Sequence, residues 1–128
     1  MRIVLDSSAL LAALLEEPGA AEVEAVLDQA LISTVNLAEV VAALARGGNP
    51  HEEVRAILAD LALAAIPADE ATAIDAGLLR AATDQAGLSP GDRFCLALAA
   101  RLSAPVLTAD PAWLKVAKPV GVEVRVIR

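Results

Sequence analysis

The 128-residue chain is nearly without aromatic side chains: it has one Trp, one Phe and no Tyr. Its core must therefore be built from Ala, Leu, Val and Ile, within a hydrophobic fraction of 57%. With Phe94 and Trp113 as the only rings, stacking of nucleic-acid bases on the protein is limited. A single Cys95 excludes an intramolecular disulfide, fits a reducing compartment and, set in the apolar run Phe94-Cys95-Leu96-Ala97-Leu98, reads as a buried inert thiol. Cations are also scarce. The net charge of -7 argues against broad affinity for nucleic acid, because phosphate binding runs on Lys and Arg, although it leaves open an enzyme that acts on nucleic acid. Long apolar runs are missing too. Charged residues, 21% of the chain, interrupt every such run before the ~20 residues that span a bilayer. The stretch from Ala9 to Leu15 has the look of a signal-peptide core, but Asp6 before it and Glu16-Glu17 after it argue against one. A soluble, cytoplasmic protein is expected, folded as a single domain over residues 1–128.

What the chain does have is an alternation of short apolar runs and helical patterns. Strands are expected at residues 2–6, 31–33, 63–66, 105–108 and 122–127. Between them run apolar stripes at helical spacing: Leu10, Leu11, Leu14 and Leu15; Val23, Val26 and Leu27; Ile74, Leu78 and Leu79; Leu96, Ala99 and Leu102. Alternation of this kind implies βαβ units and a parallel sheet covered on both faces. Residues 7–30 read as a helical hairpin turned at Pro18-Gly19, and residues 34–64 as a second, turned at Arg46-Gly47-Gly48-Asn49-Pro50.

Four acids stand where such a chain gathers carboxylates, because ligands of open α/β sheets collect beyond the carboxyl ends of the strands. Asp6 ends the first apolar strand, and Asp110 follows the run Ala104-Pro105-Val106-Leu107-Thr108. Three of the four have a structural explanation as well. Asp6 and Asp110 can each cap a following helix, the latter with Pro111 at the first helical position. Ser89-Pro90-Gly91-Asp92 fits a capping box with an acid at its third position. Glu39 lacks that excuse. It lies within Val35-Asn36-Leu37-Ala38-Glu39-Val40-Val41 and shares one helix face with Asn36, Ala43 and Arg46. That face is either a solvated polar stripe or the wall of the same cleft. Carboxylates crowded together need a cation to stay charged, and oxygen donors with few imidazoles select Mg²⁺ or Mn²⁺ over zinc. Ser7, beside Asp6, and Thr108, two before Asp110, are either supporting hydroxyls or ordinary capping groups. His51 reads as a surface residue. Lys115, Lys118, Arg125 and Arg128 make the C-terminal segment locally basic, as a solvated surface or as a substrate contact.

Four segments together carry a family resemblance: Val4-Leu5-Asp6-Ser7-Ser8, Asn36-Leu37-Ala38-Glu39-Val40, Leu88-Ser89-Pro90-Gly91-Asp92-Arg93 with Cys95-Leu96-Ala97-Leu98-Ala99, and Leu107-Thr108-Ala109-Asp110. In this order and spacing the chain resembles a PIN-domain ribonuclease, specifically a VapC-type toxin of a toxin–antitoxin pair. The resemblance implies a three-layer α/β/α domain with a central, mostly parallel sheet of about five strands. It further implies Mg²⁺- or Mn²⁺-dependent endonucleolytic cleavage of RNA at Asp6, Glu39, Asp92 and Asp110. All four are then catalytic and metal-binding, with Ser7, Asn36 and Thr108 as possible supports. Asp6 and Asp92 are the expected direct ligands. Glu39 would bind metal or orient the attacking water, and Asp110 would bind a second ion or hold the others from behind. An antitoxin protein and a homodimeric state are implied too. The antitoxin groove would fall on the Leu10–Leu15 stripe and the Val23-Val26-Leu27 stripe, unless both simply pack on the sheet.

Other classes fit less well. A receiver-like signalling module wants an acidic pair after the first strand, where Asp6 stands alone, and residues 63–67 end in Pro67 rather than an acceptor Asp. A haloacid-dehalogenase-like phosphatase needs Asp-x-Asp, and Asp6-Ser7-Ser8 supplies Ser. A catalytically silent PIN fold kept for protein binding remains the alternative.

Overall fold

The computed structural model describes residues 2–128. Its strands are β1 (Ile3–Leu5), β2 (Ala30–Ser33), β3 (Ala64–Ile66), β4 (Val106–Thr108) and β5 (Val124–Val126), all five inside or within one residue of the expected runs. The sheet is wholly parallel, in the order β3-β2-β1-β4-β5. Parallel neighbours need crossovers, and helices supply them: α1 (Ser7–Leu14) and α2 (Ala20–Glu24); α3 (Thr34–Arg46) and α4 (His51–Ala59); α5 (Glu70–Leu78), α6 (Arg80–Thr83) and α7 (Pro90–Leu102); and last α8 (Ala117–Val120).

Both expected hairpins form. The first turns at Gly19, whose φ of +95° is left-handed and whose position would bring a Cβ within 2.7 Å of Ile127, so only glycine suits it. Its second arm is shorter than the pattern suggested, since helix α2 stops at Glu24 and a 3-10 turn at Leu27–Gln29 completes the crossover.

Strand residues alternate between two cores, as period two requires. Ile3, Leu5, Ile32 and Leu107 face Leu10, Val23, Val40, Leu44 and Val54 from α1 to α4. Val4 and Val106 face Leu96, Ala99, Trp113 and Val116 on the other side. This is the three-layer α/β/α arrangement. Cys95 is fully buried, and burial pushes its thiol pKa up, with the charges of Asp6, Asp92 and Glu39 adding to the effect.

One stripe marks its helix without marking the buried face. Ile74 and Leu78 on α5 are 56% and 75% exposed, while Thr72 and Ala76 turn inward. Helix α5 packs on α7, and small side chains form that contact, which leaves the large ones outside.

The strand order places the site. Chain progression runs one way from β1 to β3 and the other way from β4 to β5, so direction reverses between β1 and β4, where Leu5 pairs with Leu107. A crevice opens beyond the carboxyl ends of the strands at such a reversal. Asp6 follows β1 and Asp110 follows β4, so both arrive at this crevice.

Candidate metal centre

Asp6 caps α1 and closes the gap between β1 and β4. Its Oδ1 accepts from the Ala9 N–H at 2.8 Å, and Thr108 Oγ1 donates to its Oδ2 at 2.6 Å. Ser8 Oγ donates to the same carboxylate at 2.7 Å and accepts from the Ala109 N–H at 2.9 Å. The group is only 4% exposed. Burial pushes its pKa up from 3.8 to about 6. Bonds from Thr108, Ala9 and Ser8 act against the rise, and the charge of Asp92 adds to it.

Asp92 enters from the opposite layer as the third residue of α7. The expected capping box is present: the Ser89 N–H donates to Asp92 Oδ2 at 2.8 Å, and the Asp92 N–H donates to Ser89 Oγ at 3.2 Å. Partial burial raises the Asp92 pKa, bonds to Ser89 oppose the rise, and the charges of Glu39 and Asp110 add to it. Asp110 caps the 3-10 turn Pro111–Lys115 by accepting from the Ala112 N–H at 2.9 Å, and its own N–H donates to Thr108 Oγ1 at 3.1 Å.

Glu39 is held from two sides. Its Oε1 accepts from Ser7 Oγ and from Asn36 Nδ2 at 2.8 Å. The same Nδ2 donates to the Gly91 carbonyl at 3.0 Å and so ties α3 to the first turn of α7. Asn36 is 1% exposed, and its Oδ1 has no hydrogen-bond partner. Such an orphan costs roughly 1–3 kcal/mol. The amide thus spends both donors on fixing Glu39 and α7 while its acceptor goes unmet.

Gly91 is the complementary feature. A Cβ there would collide with the Glu39 carboxylate, the far end of a flexible side chain. Gly91→Ala is therefore expected to keep or raise stability, by up to ~1 kcal/mol from helix propensity, while pushing Glu39 out of place. If the acids act together, cleavage falls at least about tenfold, a shift worth ~1.4 kcal/mol in the barrier. Thermal unfolding alongside a cleavage assay checks the split, and unchanged activity would show that the position of Glu39 is immaterial.

All four acids line one open cleft of about 280 Å³, together with Ser7, Ser8, Leu11, Ala43, Arg46 and Trp113. Trp113 is 1% exposed, so it serves as an anchor of its turn and offers no stacking face. His51 is exposed and lines a separate apolar pocket with Val41, Val54 and Leu58. The basic C-terminal segment is partly neutralised, since Arg125 pairs with Glu123 and Arg128 with Glu17.

The donor set suits a hard divalent cation. Among the described residues, Glu39 Oε2, Asp92 Oδ1 and Asp110 Oδ2 have no protein donor, because each cap or bridge uses the other oxygen. No imidazole or free thiolate lines the cleft, which disfavours zinc. As the side chains stand, however, no three His, Cys, Asp or Glu residues among those described close on one point. Holding a cation would therefore draw the free oxygens of Glu39, Asp92 and Asp110 closer together than they stand here. Two residues that support the site, Ser8 and Gly91, escaped the sequence reading. The contact from Ser8 to Ala109 spans 101 positions, and the role of Gly91 depends on Glu39 approaching it. The Ser-Ser pair after Asp6 was the only available signal.

Comparison with known proteins bears on the family and the fold. The family model described as PIN domain matches residues 3–119. No curated protein matches the chain. Among solved structures, the DNA-bound VapBC complex of Salmonella typhimurium has a chain that superposes with a TM-score of 0.76 at 18% identity, covering 100% of this chain and 99% of that one. A toxin–antitoxin complex from Klebsiella pneumoniae gives 0.73 at 19% identity, with 98% of each chain covered. VapBC-5 of Mycobacterium tuberculosis gives 0.61 at 24% identity, covering 98% of this chain and 99% of that one. At these identities the likeness is one of fold.

Proposed function

The chain belongs to the PIN domain family, and from that premise we propose that it is a metal-dependent endoribonuclease, the toxin of a type II toxin–antitoxin pair. The observation that carries this reading is the meeting of Asp6, Glu39, Asp92 and Asp110 in one cleft that offers no histidine or cysteine. Mg²⁺ or Mn²⁺ is the cofactor these oxygens suit. When bound, such a cation makes water acidic enough to attack near neutral pH and offsets charge on the phosphoryl transition state.

The remaining work falls to the chain itself. Asp6 and Asp92 would be the direct ligands. Ser8 and Thr108 hold Asp6 in place. Glu39, fixed by Ser7 and Asn36, binds the ion or orients the attacking water. Asp110 takes a second ion or braces the set.

The similarity to toxin–antitoxin complexes supports an antitoxin partner. Leu10 and Val23 are spent in the core, so a partner would find Leu15, exposed just past the end of α1, and the uncovered sides of Leu11, Leu14, Val26 and Leu27, which are half-buried against that core. A homodimer, a single-domain chain and a cytoplasmic location complete the reading. No helix among the described residues is long and apolar enough to cross a membrane.

The alternative is a silent PIN fold that only binds protein, and the failure of any three acids to close on one point is what favours it. One experiment separates the two. Purified, antitoxin-free protein is incubated with total cellular RNA in Mn²⁺, in Mg²⁺ and in EDTA, beside Asp6→Asn. Discrete fragments that need metal and vanish in the variant support the nuclease. No metal-dependent product from any RNA class would leave the binding module.

A further inference from the structure

Arg46 closes α3 two turns beyond Glu39, on the face that also carries Asn36 and Ala43. Of the residues lining the acidic cleft it is the only cation. It is exposed, and it makes no ion pair among the described residues. Arg80, Arg101, Arg125 and Arg128 do form ion pairs, and Arg2, Arg55 and Arg93, which form none, do not line the cleft. A guanidinium at the mouth of a four-carboxylate cleft, free of those carboxylates, is available to an incoming anion. In a chain with a net charge of -7, a phosphate backbone approaching this cleft meets repulsion that a local cation must offset.

Building on the nuclease reading, we propose that Arg46 is a substrate-positioning residue, which grips the RNA phosphate flanking the one to be cut. Seven helical residues separate it from Glu39, about 10 Å along the axis. That axial offset suits a phosphate next to the reacting one on the same strand. The planar guanidinium binds phosphate oxygens in bidentate fashion, so the contact fixes register without reading bases. A cation in the last turn of α3 also complements the helix dipole, but Lys would do that equally well.

The test is the affinity of a fluorescein-labelled, mixed-sequence oligoribonucleotide for the full chain in EDTA, where no metal-dependent cutting competes, over a salt series. The parent is compared with Arg46→Ala, Arg46→Lys and Arg80→Ala, the last an exposed arginine paired with Asp84 away from the cleft. Arg46→Ala is expected to bind about tenfold more weakly, the loss of one charge-assisted contact. Its salt slope should fall by about 0.7. Arg46→Lys should recover the slope and part of the affinity, and Arg80→Ala should match the parent. In Mn²⁺ the alanine variant should raise KM and leave kcat near the parent value. Equal affinity and slope for Arg46→Ala and the parent would overturn the proposal, as would no RNA binding by the parent at low salt. Should the parent bind RNA but never cut it, the nuclease reading fails while the binding arms still decide the role of Arg46.

Discussion

Asp92→Asn is expected to lower metal-dependent RNA cleavage by about a thousandfold, roughly 4 kcal/mol of transition-state stabilisation, with the fold intact. The two effects separate because Asp92 does two jobs with two oxygens. Its Oδ2 accepts from the Ser89 N–H and its own N–H donates to Ser89 Oγ; an asparagine carbonyl oxygen can take the same bond, so the capping box of α7 survives. Asparagine lacks the negative charge that stands beside those of Glu39 and Asp110, and it lacks a second anionic oxygen free of the cap. Removing one of several like charges also relieves repulsion in metal-free protein. Thermal unfolding in EDTA should therefore show an equal or higher midpoint, while cleavage in Mn²⁺ collapses. Undiminished cleavage would remove Asp92 from the site. Collapse of both readouts would mean that its cap outweighs its charge.

That same division of labour explains why the acids could be found in the sequence at all. Asp6, Asp92 and Asp110 each have an ordinary reason to be where they are, as helix caps, and each does cap. The cap and the cleft are compatible. A backbone N–H holds one oxygen and thereby fixes the carboxylate where a strand ends or a helix begins, which in an open parallel sheet is where ligands gather. Glu39 was readable for the opposite reason, since no cap accounted for an acid inside an apolar helix.

The strands were legible because each is a short apolar run between turn signals, and β1 is buried along its whole length. Their order was not, since a strand arriving after a helix can join either edge of the growing sheet, and local pattern holds no record of which. The contacts that order the site were hidden for a related reason. Ser8 reaches Ala109 and Thr108 reaches Asp6 across about a hundred positions, once β1 and β4 are neighbours. Asn36 reaches Gly91 across 55. On α5 the periodicity of Ile74, Leu78 and Leu79 located a helix correctly, but period alone does not say that its neighbour α7 prefers the Thr72 and Ala76 side.

In metal-free protein, Asp6→Asn is expected to stabilise the fold at neutral pH by up to roughly 3 kcal/mol, the worth of a pKa moved from 3.8 to about 6. The sign follows from linkage. Between those two values the folded chain keeps a proton on Asp6 that the unfolded chain has released, so the parent loses stability as pH rises through that window and levels off above it. Asp92, whose pKa is also raised by burial, pulls in the same direction. Asparagine at position 6 carries no charge to bury and can still accept from the Ala9 N–H, so the Asp6 share of that decline disappears. Denaturant titrations in EDTA from pH 4 to 8 should show parent and variant converging at the acid end and separating toward neutrality. Added Mn²⁺ should then stabilise the parent, because a ligand that binds only the folded state shifts the equilibrium toward it, and should leave the variant nearly unmoved. Parallel pH curves would mean that Asp6 is charged at no cost without metal. A manganese shift of equal size in both chains would mean that the ion binds elsewhere. The convergence expected instead would make the cleft a place where the fold gives up stability until a cation arrives, which is the behaviour of a site built for a metal rather than of three helix caps and a glutamate that happen to meet.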